Sequence, residues 1–389
     1  MKRNYLVPLA ILCLFAMCIG TPTESNATKK IAKTTPEPIE VRPGVYMTND
    51  PSALPLPTEG YDVYVIGERH GIYEIHQLFL AYIKMLHEAN GLRDVILEAP
   101  LYDEEAVNEY VYGLSDTLPR DCRLGMEEVL SPLREFNASL SVDEKIRVHF
   151  VDADNWIIPI HQHLQSIEET IGAPARNIET PPLEEFEECD EEKMLELVDR
   201  LVEVAESDAV LYELNIVERS VQRLFATTGK AIIRESIIAE NIQYVLKELD
   251  GPLLALYGAS HASKSRIGLP CRSWVHRLTE SCVSVYSLFA TGISGEARSP
   301  TLSTGILTLS ANPDYIVFPN DTTLGDMFDE NLEYNIVYID LSHDANQSVK
   351  VVEELGGIIP VPAPVQVKKY FDGLIIFREV TPLQIGGEK

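Results

Sequence analysis

Tyr61-Asp62-Val63-Tyr64-Val65-Ile66-Gly67-Glu68-Arg69-His70-Gly71 is the stretch that decides the fold. Its first six residues are β-branched or aromatic except for one aspartate, and they stop at a glycine, the signal of a short buried strand. Apolar residues then recur at helical spacing over 72–89 (Ile72, Ile75, Leu78, Phe79, Tyr82, Ile83, Leu86), so strand, turn and helix follow in order. Residues 94–98 repeat the strand signal, stop at Ala99-Pro100 and give way to a helical pattern over 103–112. This βαβ rhythm predicts parallel strands with helical crossovers. Further strands are expected at 146–151, 253–257, 284–289, 305–309, 336–339 and 374–377. The predicted class is a wound α/β fold whose large sheet is mostly parallel or mixed.

From 157 to 248 the pattern is wholly helical, and 157–230 reads as a helical insertion beside the sheet. The acidic run 184–192 within it lacks the ligand spacing and turn glycine of a calcium loop, so it reads as a solvated helix start. At the amino end, Lys2 and Arg3 precede an apolar run over 6–20, the pattern of a secretory signal segment, and the protein is expected to be exported. Cys18 closes that run either as part of a cleaved segment or as a lipidation site. Residues 21–57, rich in Thr, Pro, Lys and Glu, read as a flexible tether, which leaves 58–389 as a single domain.

A chain of 389 residues that is 45% hydrophobic can bury a large core. Its formal net charge of −28 makes nucleic acid a poor partner, because phosphate binding needs the opposite sign. Membrane contact is expected only through the signal or a lipid anchor, and no oligomeric state follows from the sequence. Beyond the leader, Cys122, Cys189, Cys271 and Cys282 are an even number, as suits an oxidising compartment. Cys271 with Cys282 is the expected disulfide on proximity, and isolated thiols are the alternative.

In wound α/β sheets ligands gather at the carboxyl ends of the strands, where loops and helix N-termini face a crevice. That rule selects Gly67, Glu68, Arg69, His70 and Gly71 after the first strand, Glu98 after the second, Asp152 and Asp154 after the third, and Gly258, Ser260 and His261 after the fourth. Carboxylates gathered in an apolar crevice repel one another unless a cation or a proton is shared. Two imidazoles with several carboxylates form a donor set suited to one divalent transition metal such as Mn, Fe, Co or Zn, with His70, His261, Glu68 and Glu98 as ligands. The same residues also suit a metal-free site in which a histidine activates water as general base. A third reading makes Ser260 the nucleophile of a Gly258-Ala259-Ser260-His261-Ala262 elbow, with Asp340 and His343 downstream. His161 and His163 read as solvent-facing, and His76 and His87 as packing or surface groups of the first helix.

From about 61 to 382 the chain resembles the erythromycin esterase-like group, within the superfamily that also holds the Tiki/TraB proteases and the ChaN haem-binding lipoproteins. The resemblance runs through Val65-Ile66-Gly67-Glu68-Arg69-His70-Gly71, Val95-Ile96-Leu97-Glu98-Ala99, Arg147-Val148-His149-Phe150-Val151-Asp152, Arg234-Glu235-Ser236 and Tyr370-Phe371-Asp372-Gly373. It implies a hydrolase whose catalytic turn holds Glu68 and His70, with Glu98 opposite, His261 as second histidine, and Arg234 and Glu235 as a charged pair near the pocket. Members commonly carry a small residue where this chain has Arg69, which is expected to project a cation at the crevice mouth. The paired glycine–histidine turns at Gly67 and Gly258 are closer to the Tiki/TraB pattern and its metal dependence, and the ChaN branch implies non-covalent haem or iron as the alternative ligand.

Overall fold

The computed structural model describes residues 37–119, 122, 125–266, 271–299, 305–352 and 365–384. The signal segment, Cys18 and the first part of the tether lie outside them. Strands β1 (Ile39–Arg42) and β2 (Val45–Thr48) precede β3 (Val63–Glu68), β4 (Asp94–Pro100), β5 (Arg147–Asp152) and β6 (Leu253–Gly258). They are followed by β7 (Val285–Arg298), β8 (Ile306–Ser310), β9 (Ile316–Val317), β10 (Ile336–Asp340), β11 (Lys350–Val351), β12 (Val365–Gln366) and β13 (Gly373–Val380).

One ten-stranded sheet runs in the order β1-β2-β10-β13-β7-β3-β6-β4-β5, with β8 paired to β7. From β13 through β5 neighbouring strands are parallel, while β10, β2 and β1 extend one edge antiparallel. β9, β11 and β12 form a separate small sheet. The fold is therefore the mixed, mostly parallel α/β architecture that the βαβ rhythm predicts.

Helices cover both faces. α1 (Tyr73–Asn90), α2 (Glu104–Val111) and α3 (Glu127–Ala138) lie on one side. α4 (Ile157–Ile171), α5 (Leu183–Phe186), α6 (Glu191–Val202) and α7 (Asp208–Phe225) make up the helical insertion. α8 (Lys230–Glu248), α9 (Ala259–Ala262), α10 (Trp274–Glu280) and α11 (Leu324–Glu330) follow. Alternation along the strands feeds two separate cores: Tyr64, Ile66, Leu254 and Leu256 point to the α1 side, and Val63, Val65, Leu253 and Ala255 to the α8 side. The insertion keeps a third core of its own, built from Leu164, Phe186, Met194, Leu201, Leu214 and Val221. The acidic run is indeed a helix start, with Asp190 capping α6 by accepting the Lys193 amide at 3.0 Å.

Two expectations are corrected. Residues 37–57 are not a tether: β1 and β2 extend the sheet along β10, Val45 and Met47 are fully buried, and Leu54 and Leu56 pack into the α1-side core. Low apolar content concealed two strands of four residues whose alternate side chains suffice to cover the β10 edge. Nor do Cys271 and Cys282 form a disulfide; both are free. The helix α10 lies between them, and its seven residues rise about 10 Å, beyond the ~7 Å Cα separation that a disulfide spans.

Candidate functional site

The carboxyl ends of β3, β4, β5 and β6 bring Glu68, Glu98, Asp152 and Gly258 to one end of the sheet, with Glu68 and Gly258 in direct register. His70 follows β3 by two residues and turns back, so that its Nδ1–H donates to Glu68 Oε1 at 2.8 Å. The opposite ring nitrogen, Nε2, lies 3.9 Å from Glu98 Oε2. Glu98 Oε2 accepts the Gly258 amide at 2.8 Å, and its Oε1 accepts Arg234 Nη2 at 2.7 Å.

Arg234 reaches this point from the first turns of α8 and grips Asp152 with two nitrogens: Nε donates to Oδ1 at 2.9 Å and Nη2 donates to Oδ2. Its Nη1 is 3.2 Å from His261 Nε2. His261 Nδ1 is in turn hydrogen-bonded to Glu235 Oε1, and Glu235 Oε2 accepts the Trp274 amide at the start of α10. Asp152 and Glu235 are each 1% exposed, and buried carboxylates persist only with such partners. The site thus holds two imidazoles, each anchored at Nδ1 by its own carboxylate and each with Nε2 3.9 Å from an oxygen of Glu98.

Burial alone would depress the His70 imidazolium, but the hydrogen bond and charge of Glu68 and the charge of Glu98 carry its pKa up to about 9. Glu98 shows the converse: burial opposes its ionisation, yet His70, His261, Arg234 and the Gly258 amide bring its pKa to about 2. In the same way burial acts against charge at Glu68 and His261, and their partners win, lowering the one and raising the other.

A cavity of ≈ 660 Å³ opens onto one side of this network. Its lining is polar at Glu68, His70, His76 and Glu98 and apolar at Leu97, Met126, Val129, Leu256 and Leu383. Trp156, 64% exposed, stands at the rim, and Arg298 and Ser299 enter from the far end of β7. Gly71 completes the wall at a positive φ of 86°, where a Cβ would sit 2.0 Å from Arg298 O, so this turn accepts only glycine.

The structure therefore brings Glu68, His70, Gly71 and Glu98 into the cavity and sets Asp152, Arg234, Glu235 and His261 behind Glu98, outside the cavity lining. Gly67 serves packing, since a Cβ there would meet Ala262 Cβ at 2.7 Å. Arg69 is half-buried and its amide continues the ladder to Ala290 O at 3.2 Å; it does not line the cavity. Asp154 is turned away and pairs with His163 at 2.9 Å, because β5 ends at Asp152 and strand alternation no longer holds two residues on.

His161 and His163 are buried rather than solvent-facing. His161 bonds Pro181 O at 2.9 Å and packs on Phe186, and His163 joins Asp154 between the sheet and the insertion. No Ser260 triad forms: Asp340 pairs with Gly373, the first residue of β13, at the amino end of the parallel strands, and His343 caps a turn of its own. His76, read from the sequence as packing, is a cavity residue 3.7 Å from Glu68. Its place in the first turns of the helix following the His70 turn was the available signal.

The proposed metal ligands are otherwise engaged. Arg234 supplies the cation between Glu98 and His261, and Glu68 Oε1 is held by His70. Among the described residues no group of three or more His, Cys, Asp or Glu side chains is arranged to hold a metal ion, and no helix is long and apolar enough to cross a membrane. These donors do not fit a metal as they stand.

By sequence, no family model and no curated protein matches this chain. Several solved structures do overlay on it. A succinoglycan biosynthesis protein covers 84% of this chain and 90% of its own at a TM-score of 0.64 and 15% identity. A Bacillus cereus protein covers 84% and 91% at 0.62 and 16%. An erythromycin esterase mutant, EreC in its open conformation, covers 84% and 93% at 0.63 and 14%.

Proposed function

We propose that this chain, built on the fold it shares with an erythromycin esterase, is an exported hydrolase in which His70 activates water for attack on an ester or peptide carbonyl. The observation that carries the reading is the posture of His70: Nδ1–H is held by Glu68 at 2.8 Å, so the lone pair of the neutral ring is fixed at Nε2. The ring lines a cavity of ≈ 660 Å³ whose wall also carries Leu97, Met126, Val129, Leu256 and Leu383. Such a wall suits a carbon-rich acyl or leaving group, and the half-exposed ring leaves room for water.

Glu98 sits where positive charge develops on His70 as it takes the proton, and its ionised state is secured by Arg234 and His261 behind it. No step in this reading passes through a metal, since Arg234 already neutralises the carboxylates. Export is supported by the basic and apolar pattern over residues 1–20.

The test is hydrolysis of a panel of aryl esters and peptides by the exported chain and by His70→Ala, with elemental analysis and an absorbance spectrum on both. Hydrolysis abolished by His70→Ala supports the reading. Equal rates in the two proteins would sink it, and a Soret band lost in His70→Ala would replace it with haem binding.

A further inference from the structure

Gly71 O, one residue past the candidate base, accepts two amides, that of Arg298 at 2.9 Å and that of Leu383 at 3.1 Å. Arg298 closes the knot by donating Nε–H to Leu383 O at 2.7 Å. The last residue of β7 is thereby tied to the His70 turn through its main chain and to the segment after β13 through its side chain. A guanidinium is planar, so one hydrogen bond at Nε sets the plane of the whole fork. The half-buried Arg298 is a preorganised cation.

Arg298, Leu383, Trp156 and His70 line the same cavity, and among the described lining residues Arg298 is the one Arg or Lys. Its charge is set apart from the network around Glu98. Arg234 is the cation that bears on His70 and Glu98, whereas Arg298 bears on Glu128 of α3. Burial pushes the Glu128 carboxyl up, with the Gln384 amide and Arg298 pulling against it, and Oε1 is spent on that amide at 2.9 Å. The lining thus carries two carboxylates beside the His70 ring, Glu68 at 2.8 Å and Glu98 at 3.9 Å, and a guanidinium beyond Gly71.

Such a division of charge orients a ligand. Glu68 and Glu98 repel an anionic group from the ring, and Arg298 attracts it. A carboxylate is the planar partner that a guanidinium fork takes with two parallel hydrogen bonds. One cation also matches one negative charge, whereas a dianion would leave its second charge facing two carboxylates.

We propose that Arg298 is the specificity-determining residue of this cavity and that the ester or peptide it takes carries a free carboxylate. Arg298 holds that carboxylate while the scissile carbonyl lies at His70 and the apolar part of the molecule rests on Leu97, Met126, Val129 and Trp156. That the ligand is a substrate rests on the hydrolase reading; that it is a carboxylate does not.

The test therefore needs no turnover. The chain has two tryptophans; Trp274 is fully buried and Trp156 is 64% exposed in the cavity lining, so a ligand-dependent change in fluorescence reports on Trp156. Phenylacetate and its uncharged analogue phenylacetamide are titrated into the full-length chain and into Arg298→Gln and Arg298→Lys, with the thermal midpoint as the check on folding. Wild type should bind phenylacetate about 10–100-fold tighter than phenylacetamide, the worth of a hydrogen bond to a charged group. Arg298→Gln should bring phenylacetate down to the affinity of the amide and leave the amide unchanged, and Arg298→Lys should recover part of the preference. Equal affinities in wild type, or a preference that survives in Arg298→Gln, would overturn the proposal. A carboxylate preference in a protein that hydrolyses no ester or peptide removes the hydrolase reading and keeps the Arg298 site; hydrolysis without the preference does the reverse.

Discussion

Gly258 and His70 meet where no methyl group fits: a Cβ on Gly258 would lie 2.7 Å from His70 Nε2 and 3.4 Å from Glu98 Oε2. The φ of −53° at Gly258 is open to any residue, so the glycine serves the imidazole and not the backbone. Gly258→Ala should fold normally and displace the ring by the better part of an ångström. Misplacement on that scale costs about 100-fold in rate, and comparison of kcat/KM with the thermal midpoint separates this from general destabilisation.

His70→Ala should reduce ester hydrolysis by about 10²–10⁴-fold, the usual worth of a positioned base. Glu68→Gln keeps the shape of the partner but loses its charge, so a smaller loss is expected, together with a pH profile moved downward. Rates across pH 5–10 for the two variants and wild type check both statements.

The pH dependence has opposite signs for activity and stability. As a base His70 works only when neutral, so kcat/KM should rise with pH and level off above about 9. A folded-state pKa raised above the unfolded one stabilises fully below the unfolded value of ~6.5 and loses that contribution as pH climbs through the folded one. Urea midpoints should therefore fall between about pH 6.5 and 9 while the rate increases. A rate that peaked near pH 6 would contradict the assignment of the base.

Arg234 holds Asp152 and Glu98 together, and Asp152 is 1% exposed. Arg234→Met leaves that aspartate buried without its partner, for which the expected loss is about 3–5 kcal/mol. Adding Asp152→Asn should recover part of it, since the stranded charge is then gone. Urea unfolding of the two variants and wild type measures the difference; equal stability of Arg234→Met and wild type would show that the fork is dispensable.

Much of this site was legible because strand ends are legible. The apolar runs before Gly67, Ala99 and Gly258, and the run ending at Val151, mark the sheet, and the residues that follow them are those the fold gathers. Arg234 was readable only as a charged pair on a helix, since nothing local says that its helix N-terminus points at β5. Asp154 misled because the strand-end rule takes in whatever follows β5, and two residues past Asp152 the chain has already turned toward His163 of the insertion. His76 was hidden by helical spacing, which reports the buried face of α1 but not that its first turns overhang Glu68. β1 and β2 were missed because four-residue strands in a Pro- and Thr-rich segment carry too little hydrophobic signal.

Truncation tests that last point. Compared with a chain beginning at residue 37, one beginning at 58 loses β1, β2, Leu54 and Leu56 and bares the β10 edge. Lower stability and concentration-dependent association are expected of the shorter chain, measured by urea titration and light scattering.

The insertion's separate core gives it a mechanical independence that the sheet's helices lack. Besides a small apolar contact of Ala153, Ile216 and Ile237, several ties cross the joint: Asp154 binds His163 at 2.9 Å and its amide donates to Ser220 Oγ at 3.1 Å, Arg219 pairs with Glu240 and donates to Ser236 Oγ at 3.0 Å, Arg223 Nη1 donates to Asn155 O at 3.3 Å, and Tyr212 stacks on Tyr244. A block of helices with a core of its own can melt as a unit while the ten-stranded sheet stays intact. Because Trp156 lines the cavity immediately before α4, any such loosening would be felt at the door of the cavity.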